Sequence, residues 1–309
     1  MTRPILVTGS HRSGTTWAGR MLCASRAAGY VHEPFNPNRS PGWFPEPLPY
    51  WFMYLTEENA VPYERDVERL LAFRYPLRAL ARARSPRALA RQLPEIARSI
   101  GYRAQRRRTL LKDPMALFSA EWLARRFGMD VVVMIRHPAA FVGSIKKLNW
   151  GFDYERNWLA QDLLMRDLLG RWAGHFEGYE GEVDLVGEGI VMWNAMYDVV
   201  RGYRERHPDW HFVRYDDLAD DPMAGFRDLY ERLGLPWDER AQDAVMESTS
   251  EANVKDVPAW RRRAIKRDSR AAKRTWGQRL TPEEVERVRR ETAEVAAPFY
   301  SEKDWELRR

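Results

Sequence analysis

The sequence predicts an α/β protein: a P-loop-like, doubly wound parallel sheet flanked by helices, with an inserted helical lid. Three observations lead there. Short apolar runs alternate with stretches of helical periodicity from residue 5 to residue 233, the pattern of parallel strands joined by crossover helices. The first of these runs opens directly into a glycine-containing loop and then a helix. Arg12, Glu33, Lys112 and Arg136 all fall at or just after expected strand ends, where open parallel sheets hold their ligands.

The first strand is expected over 5–8, its helix over 15–26 and the next strand over 30–32. Between the first two lies Thr8-Gly9-Ser10-His11-Arg12-Ser13-Gly14-Thr15-Thr16-Trp17, which reads as a phosphate cradle. Successive backbone N–H groups at a helix start form an anion-sized nest, and the helix dipole adds partial positive charge. Ser13, Gly14, Thr15 and Thr16 are therefore anion-binding candidates, and Arg12 adds a permanently charged, planar fork of donors. A nucleotide triphosphatase loop reads G-x-x-x-x-G-K-[ST]. Here Gly9 and Gly14 keep the spacing but Thr15 replaces the lysine, which weakens an ATP reading.

Residues 36–62 are dense in proline and aromatics, among them Trp43, Phe44, Tyr50, Trp51, Phe52 and Tyr54, and read as an ordered loop. Residues 65–108 carry thirteen arginines on Ala/Leu-rich helical sequence, with Pro76, Pro86 and Pro94 as expected helix boundaries. Together, 36–108 form the expected lid within a single 309-residue domain, since no linker divides the chain. Strands are then expected over 109–112, 131–135 and 210–214, and helices over 115–127, 138–147, 162–172, 190–206 and 222–233.

A hydrophobic content of 44% with 13 Trp suffices for a real core. The net charge of +6 favours anionic partners without choosing among nucleotide, acidic glycan, membrane surface and nucleic acid. The one cysteine, Cys23, excludes an intramolecular disulfide and reads as a small buried apolar residue in a reducing compartment. No signal-type segment opens the sequence, and no eighteen consecutive apolar residues occur, so a soluble, cytoplasmic protein is expected. His, Cys and carboxylates show no metal-ligand spacing, and metal independence is expected.

The run Arg12-Ser13-Gly14-Thr15-Thr16 resembles the 5′-phosphosulfate loop of sulfotransferases that use 3′-phosphoadenosine 5′-phosphosulfate (PAPS), especially the Arg-type loop of tyrosylprotein and carbohydrate sulfotransferases. Two other segments fit the same family. Val131 to Ile135 followed by Arg136-His137-Pro138, with Ser144 eight residues after Arg136, resembles its 3′-phosphate-binding element, and Lys112-Asp113-Pro114 resembles its Lys-Asp-Pro segment. Phe212-Val213-Arg214-Tyr215-Asp216-Asp217-Leu218 is similar to its Tyr-Glu-Asp-Leu segment.

The resemblance implies sulfuryl transfer from PAPS to an acceptor hydroxyl without a metal. Arg12 and Lys112 would stabilise the transferring group. Glu33, 21 residues after Arg12, would be the base, with His32 as rival. Arg136 and Ser144 would hold the 3′-phosphate, and Trp17 and Tyr215 would neighbour the adenine, core packing being the alternative for both. The basic run 261–274 lies where relatives close a loop over the nucleotide; Ser269 and Lys273 are the candidates there, against a merely solvated loop.

The expected acceptor is a glycan or glycolipid, with a small phenol, alcohol or tyrosine second. Peripheral membrane contact through the Arg-rich insert is compatible with either. A nucleotide kinase is the rival enzyme class, marked by magnesium dependence, and a nucleic-acid or anionic-membrane binding module is the non-enzymatic rival. No nucleic-acid fold signature accompanies the arginines, so no nucleic-acid partner is expected.

Overall fold

The structure, a computed structural model, describes residues 3–38, 42–76, 80, 86–176, 184–249 and 275–306. Five strands, β1 (Ile5–Gly9), β2 (Ala28–His32), β3 (Arg108–Lys112), β4 (Asp130–Ile135) and β5 (His211–Arg214), form one sheet in the order β2-β3-β1-β4-β5. All pairings are parallel, which confirms the doubly wound α/β class. Every residue of β1 is buried because helices cover both sheet faces.

Strand alternation divides the core. Ile5, Val7, Leu110, Val132 and Met134 face α1 (Thr15–Leu22). Leu6, Leu111, Val131 and Val133 face the opposite way, into the larger cluster that takes in the insert. The remaining helices are α2 (Val61–Leu71), α3 (Pro86–Ala104), α4 (Ala120–Phe127), α5 (Pro138–Leu148), α6 (Asp162–Leu164), α7 (Ala173–Phe176) and α8 (Leu185–Arg206). After β5 come α9 (Tyr215–Asp220), α10 (Pro222–Arg232), α11 (Glu239–Ser248) and α12 (Pro282–Ala296). No helix among the described residues is long and apolar enough to cross a membrane.

Four local expectations are corrected. Helix α1 stops at Leu22 rather than residue 26, because tight turns through Cys23, Ala24 and left-handed Arg26 (φ 64°) reverse the chain into β2. Cys23 is only half-buried. Pro94 lies inside α3 rather than at its boundary; its exposed position lets water satisfy the carbonyl it leaves unpaired. In place of one helix over 162–172 there are α6, a wide π-turn over Met165–Leu169 and a 3₁₀ turn over Gly170–Trp172, preceded by a second wide π-turn over Glu155–Leu159.

This irregular stretch and Ser119 share a visible task. Asn157 Oδ1 accepts from Trp51 N (3.0 Å) and Gln161 Oε1 from Tyr54 N (2.8 Å), while Ser119 Oγ accepts from Leu55 N (3.0 Å) and donates to Met53 O (2.6 Å). Side chains thereby replace the ladder that the aromatic loop lacks. Trp43, Phe44 and Phe52 of that loop are core residues, and only Tyr50, Trp51 and Tyr54 stay half-exposed.

Candidate active site

The chain runs from β1 to one side of the sheet and later crosses to β4 on the other, so the strand order reverses between β1 and β4. At that reversal the β1–α1 loop and the β4–α5 turn stand side by side, with Gly9 opposite Met134. Gly9 (φ 139°) is required here, because a Cβ would stand 2.4 Å from Met134 O. Gly14 (φ 94°) caps α1 with no side-chain hydrogen bond, and the first turn carries no carboxylate. The first-turn amides of α1 therefore have neither an intrahelical acceptor nor a capping oxygen. This is the arrangement that receives an anion.

Within the loop, Ser13 is turned inward: its N–H and Oγ both bond Ser10 O, at 3.2 and 2.6 Å. It shapes the cradle rather than offering its hydroxyl. Thr15 is buried and Thr16 half-buried in the first turn. Arg12 is exposed, holds a left-handed backbone (φ 65°) and donates from Nε to Ser144 Oγ (2.9 Å). Ser144 lies on α5, so two residues expected at different phosphates are in direct contact.

Lys112, 1% exposed, ends β3 opposite His32 of β2, and its Nζ makes an ion pair with Glu33 Oε1. Asn36 Nδ2 donates to the other Glu33 oxygen (3.3 Å). Glu33 also holds a left-handed backbone (φ 49°), and its N–H bonds Lys112 O (2.8 Å). Such conformations cost of order 1–3 kcal/mol each and persist only where surroundings fix them. His32 Nδ1 instead meets the Tyr30 hydroxyl (3.2 Å).

Asp113 fixes the turn beneath. Fully buried, it accepts from Phe35 N (2.6 Å) and Met115 N (2.9 Å), so one carboxylate ties the exits of β2 and β3 together. Burial, and then the Glu33 charge, push its carboxyl up to about 7.

On the other side Arg136, 6% exposed, lies with its guanidinium carbon 3.9 Å from the centre of the Tyr215 ring, a cation–π distance. The same ring meets Gly14, where a Cβ would fall 2.5 Å from Tyr215 Cδ2. Trp17 joins edge-on at 5.5 Å, and its Nε1 donates to Ser248 Oγ (3.0 Å). Core packing thus accounts for most of Tyr215, which is 6% exposed.

A model of the Sulfotransferase family matches residues 4–239, a span that includes the cradle, Glu33, Lys112, Arg136, Ser144 and Tyr215. The chain belongs to the sulfotransferase family. Human sulfotransferase 1C2 is 27% identical over 99 residues, 31% of this chain and 31% of the human protein. The rabbit protein of that name is 26% identical over 98 residues, again 31% of each. The match therefore spans about a third of the length of these curated relatives. Among solved structures, the sulfotransferase domain of the Synechococcus PCC 7002 olefin synthase covers 97% of each chain at 15% identity and TM-score 0.47. Mouse sulfotransferase SULT7A1, solved with PAP, covers 98% of this chain and 87% of its own at 13% identity and TM-score 0.44.

Three residues of the candidate site escaped sequence reasoning. Tyr197 of α8 has its hydroxyl 2.8 Å from Ser10 Oγ and accepts from Arg136 N at 2.8 Å, which links the β1–α1 loop to the β4–α5 turn. Trp193 Nε1, one turn earlier, donates to Arg136 O (2.9 Å). His11 is 4% exposed among Phe52, Phe141 and Trp150, and neither ring nitrogen has a hydrogen-bond partner among the described residues. Burial, with Arg12 beside it, lowers its pKa to about 3. The aromatic spacing of α8 is visible in sequence, but its partners are more than fifty residues away. Ser269 and Lys273 lie outside the described residues.

Proposed function

We propose that this protein transfers a sulfuryl group from PAPS to an acceptor hydroxyl, with Glu33 as base and Arg12 and Lys112 as the stabilising cations. The observation that carries this reading is the buried Lys112 paired with Glu33 at the same sheet edge as the uncapped, carboxylate-free start of α1. PAPS supplies, when bound, a sulfuryl group activated on a phosphate oxygen. The residues fit such a donor: the first amides of α1 and Arg12 would hold its anionic end, and Arg136 a second phosphate.

In the reaction the acceptor oxygen bonds to sulfur as the sulfur–phosphate oxygen bond breaks, and the hydroxyl proton passes to a Glu33 carboxylate oxygen. Lys112 Nζ offsets the negative charge left on the departing oxygen, and Arg12 that on the sulfuryl oxygens. Fixed cations suffice for this chemistry, so chelation with EDTA is expected to leave the rate unchanged. Residues 36–108 are read as an acceptor-side lid within one domain, and the acceptor as a carbohydrate hydroxyl, free or lipid-linked. Half-exposed Trp51 and Trp150, packed edge to face with ring centroids 5.8 Å apart and with Trp150 4.4 Å from the His11 ring, support this as aromatic surface beside the cradle loop. Cytoplasmic placement completes the reading, resting on a single cysteine, which can form no intramolecular disulfide.

The test is a thermal shift with 3′,5′-ADP (PAP), 5′-ADP and ATP, each with and without magnesium. A metal-independent shift that requires the 3′-phosphate is expected. A magnesium-dependent shift with ATP and none with PAP would replace the proposal with a kinase.

A further inference from the structure

Helix α3 is turned inside out. Its Leu89, Leu93, Ile96 and Ile100 recur at spacings of four, three and four, the signature of a buried helical stripe. Yet Leu89, Leu93 and Ile100 are 41%, 57% and 64% exposed, while polar Gln92 and Ser99 are buried at 8% and 2%. The buried pair is satisfied locally, with Tyr75 Oη donating to Gln92 Oε1 and Ser99 Oγ to Glu95 O. An apolar stripe left open beside a satisfied polar face marks a surface that receives something apolar.

Two hollows lie against this helix, and Ser99 lines both. The smaller, about 270 Å³, is polar and aromatic, bounded by Arg20, Tyr30, His32, Trp43, Arg98 and Tyr102. It adjoins the catalytic pair: His32 is the register partner of Lys112, and the Tyr30 ring and the Lys112 stem both approach Gly19 of α1, at 3.0 and 3.1 Å from a Cβ built there. The larger, about 610 Å³, is lined by Phe73, Tyr75, Ile96 and Ile100 with Arg74 and Arg103 beside them. Trp43 of the first hollow meets Tyr75 of the second at 5.2 Å between ring centroids, so the two hollows are neighbours. The larger volume lies within the range of small-molecule sites and the smaller just below it.

We propose that the larger groove holds the alkyl chain of an amphiphilic, lipid-linked acceptor whose hydroxyl-bearing head lies in the smaller hollow. The role of the head rests on the sulfuryl-transfer reading above. Polar hollow, shared Ser99 and apolar groove follow one another as head, junction and tail would. The exposed guanidinium groups of Arg74, Arg98 and Arg103 flank the path, where they suit the polar and anionic surface of the bilayer from which such an acceptor comes.

The test uses the full-length protein with saturating PAP and three probes below their micellar concentrations: methyl, hexyl and octyl β-D-glucopyranoside, followed by titration calorimetry. Saturable binding of one octyl glucoside per chain is expected, with affinity rising roughly fourfold for each added methylene and no measurable binding of the methyl compound. Ile100→Glu, at an exposed position, and Ile96→Trp, which fills the groove, should each weaken octyl binding at least tenfold while the thermal shift with PAP is retained. Affinity independent of chain length, or an unsaturable partition unchanged in both variants, would overturn the proposal. So would an oligomer that Ile100→Glu dissociates without any alkyl binding, which would assign the stripe to a second copy. Saturable alkyl binding by a protein that PAP does not shift would support the groove and overturn only the sulfuryl-donor reading.

Discussion

Replacing His11 by phenylalanine should remove a specific portion of the acid sensitivity of this fold. The imidazole is 4% exposed among three aromatic rings, and its pKa is lowered from the ordinary 6.5 to about 3. Between those values the unfolded chain binds a proton that the folded chain refuses. Stability is therefore complete above pH 6.5 and is lost as pH falls toward 3, at ~1.4 kcal/mol per pH unit. Going from pH 7.5 to pH 5.0 traverses about 1.5 units of that window, which amounts to about 2 kcal/mol. Phenylalanine cannot titrate and keeps the ring between Phe52, Phe141 and Trp150. Urea unfolding of both proteins at both pH values gives the number as a double difference, in which every other titrating group cancels. The wild type should lose about 2 kcal/mol more than His11→Phe. Equal losses, within about 0.5 kcal/mol, would refute the reasoning, because they would mean that His11 reaches solvent or a partner that accepts its proton.

Glu33→Gln should keep the thermal shift with PAP and lower kcat by about 10²- to 10⁴-fold in sulfuryl-transfer assays, the usual contribution of a general base; parallel loss of the PAP shift would show Glu33 to be a binding residue instead. Arg136→Ala should weaken PAP binding by roughly 10- to 100-fold in titration calorimetry, as expected for one lost charge-assisted hydrogen bond in a buried site, and an unchanged Kd would remove Arg136 from the nucleotide site. Asp113, with its carboxyl pushed up to about 7, acts opposite to His11. The folded chain here binds the extra proton, so the stabilisation is full below about pH 4 and is lost as pH rises to 7, by up to ~1.4 kcal/mol per unit. Asp113→Asn should flatten that part of the stability–pH curve in urea unfolding.

The sheet was legible in the sequence because parallel strands buried on both faces must be short and apolar, and the runs 5–8, 109–112 and 131–135 are, with Lys112 and Arg136 marking the ends of the last two and the glycine loop the end of the first. The cradle was legible for a local reason: glycine spacing and helix start lie within ten consecutive residues. Helix α12 had a readable start in Thr281-Pro282-Glu283-Glu284, where Thr281 and Glu284 form a reciprocal capping box, yet it was not foreseen. What sequence could not give was orientation across long separations. The contact of Arg12 with Ser144 spans 132 residues, and that of Ser10 with Tyr197 spans 187. The apolar spacing of α3 was equally visible, but periodicity reports that a stripe exists without saying whether anything covers it.

The Tyr197 hydroxyl touches Ser10 of the β1–α1 loop and the Arg136 amide of the β4–α5 turn, and burial raises its pKa so that it stays protonated. In the donor site proposed above, this one oxygen atom would act as a spacer between the loops assigned to the two ends of a bisphosphate, setting how far apart its charged groups must be. On that proposal, discrimination between nucleotides of different phosphate spacing would lie in a helix that need not touch the nucleotide. A substitution that slides α8 by a fraction of an ångström would retune which donor fits, with every phosphate-contacting residue left in place.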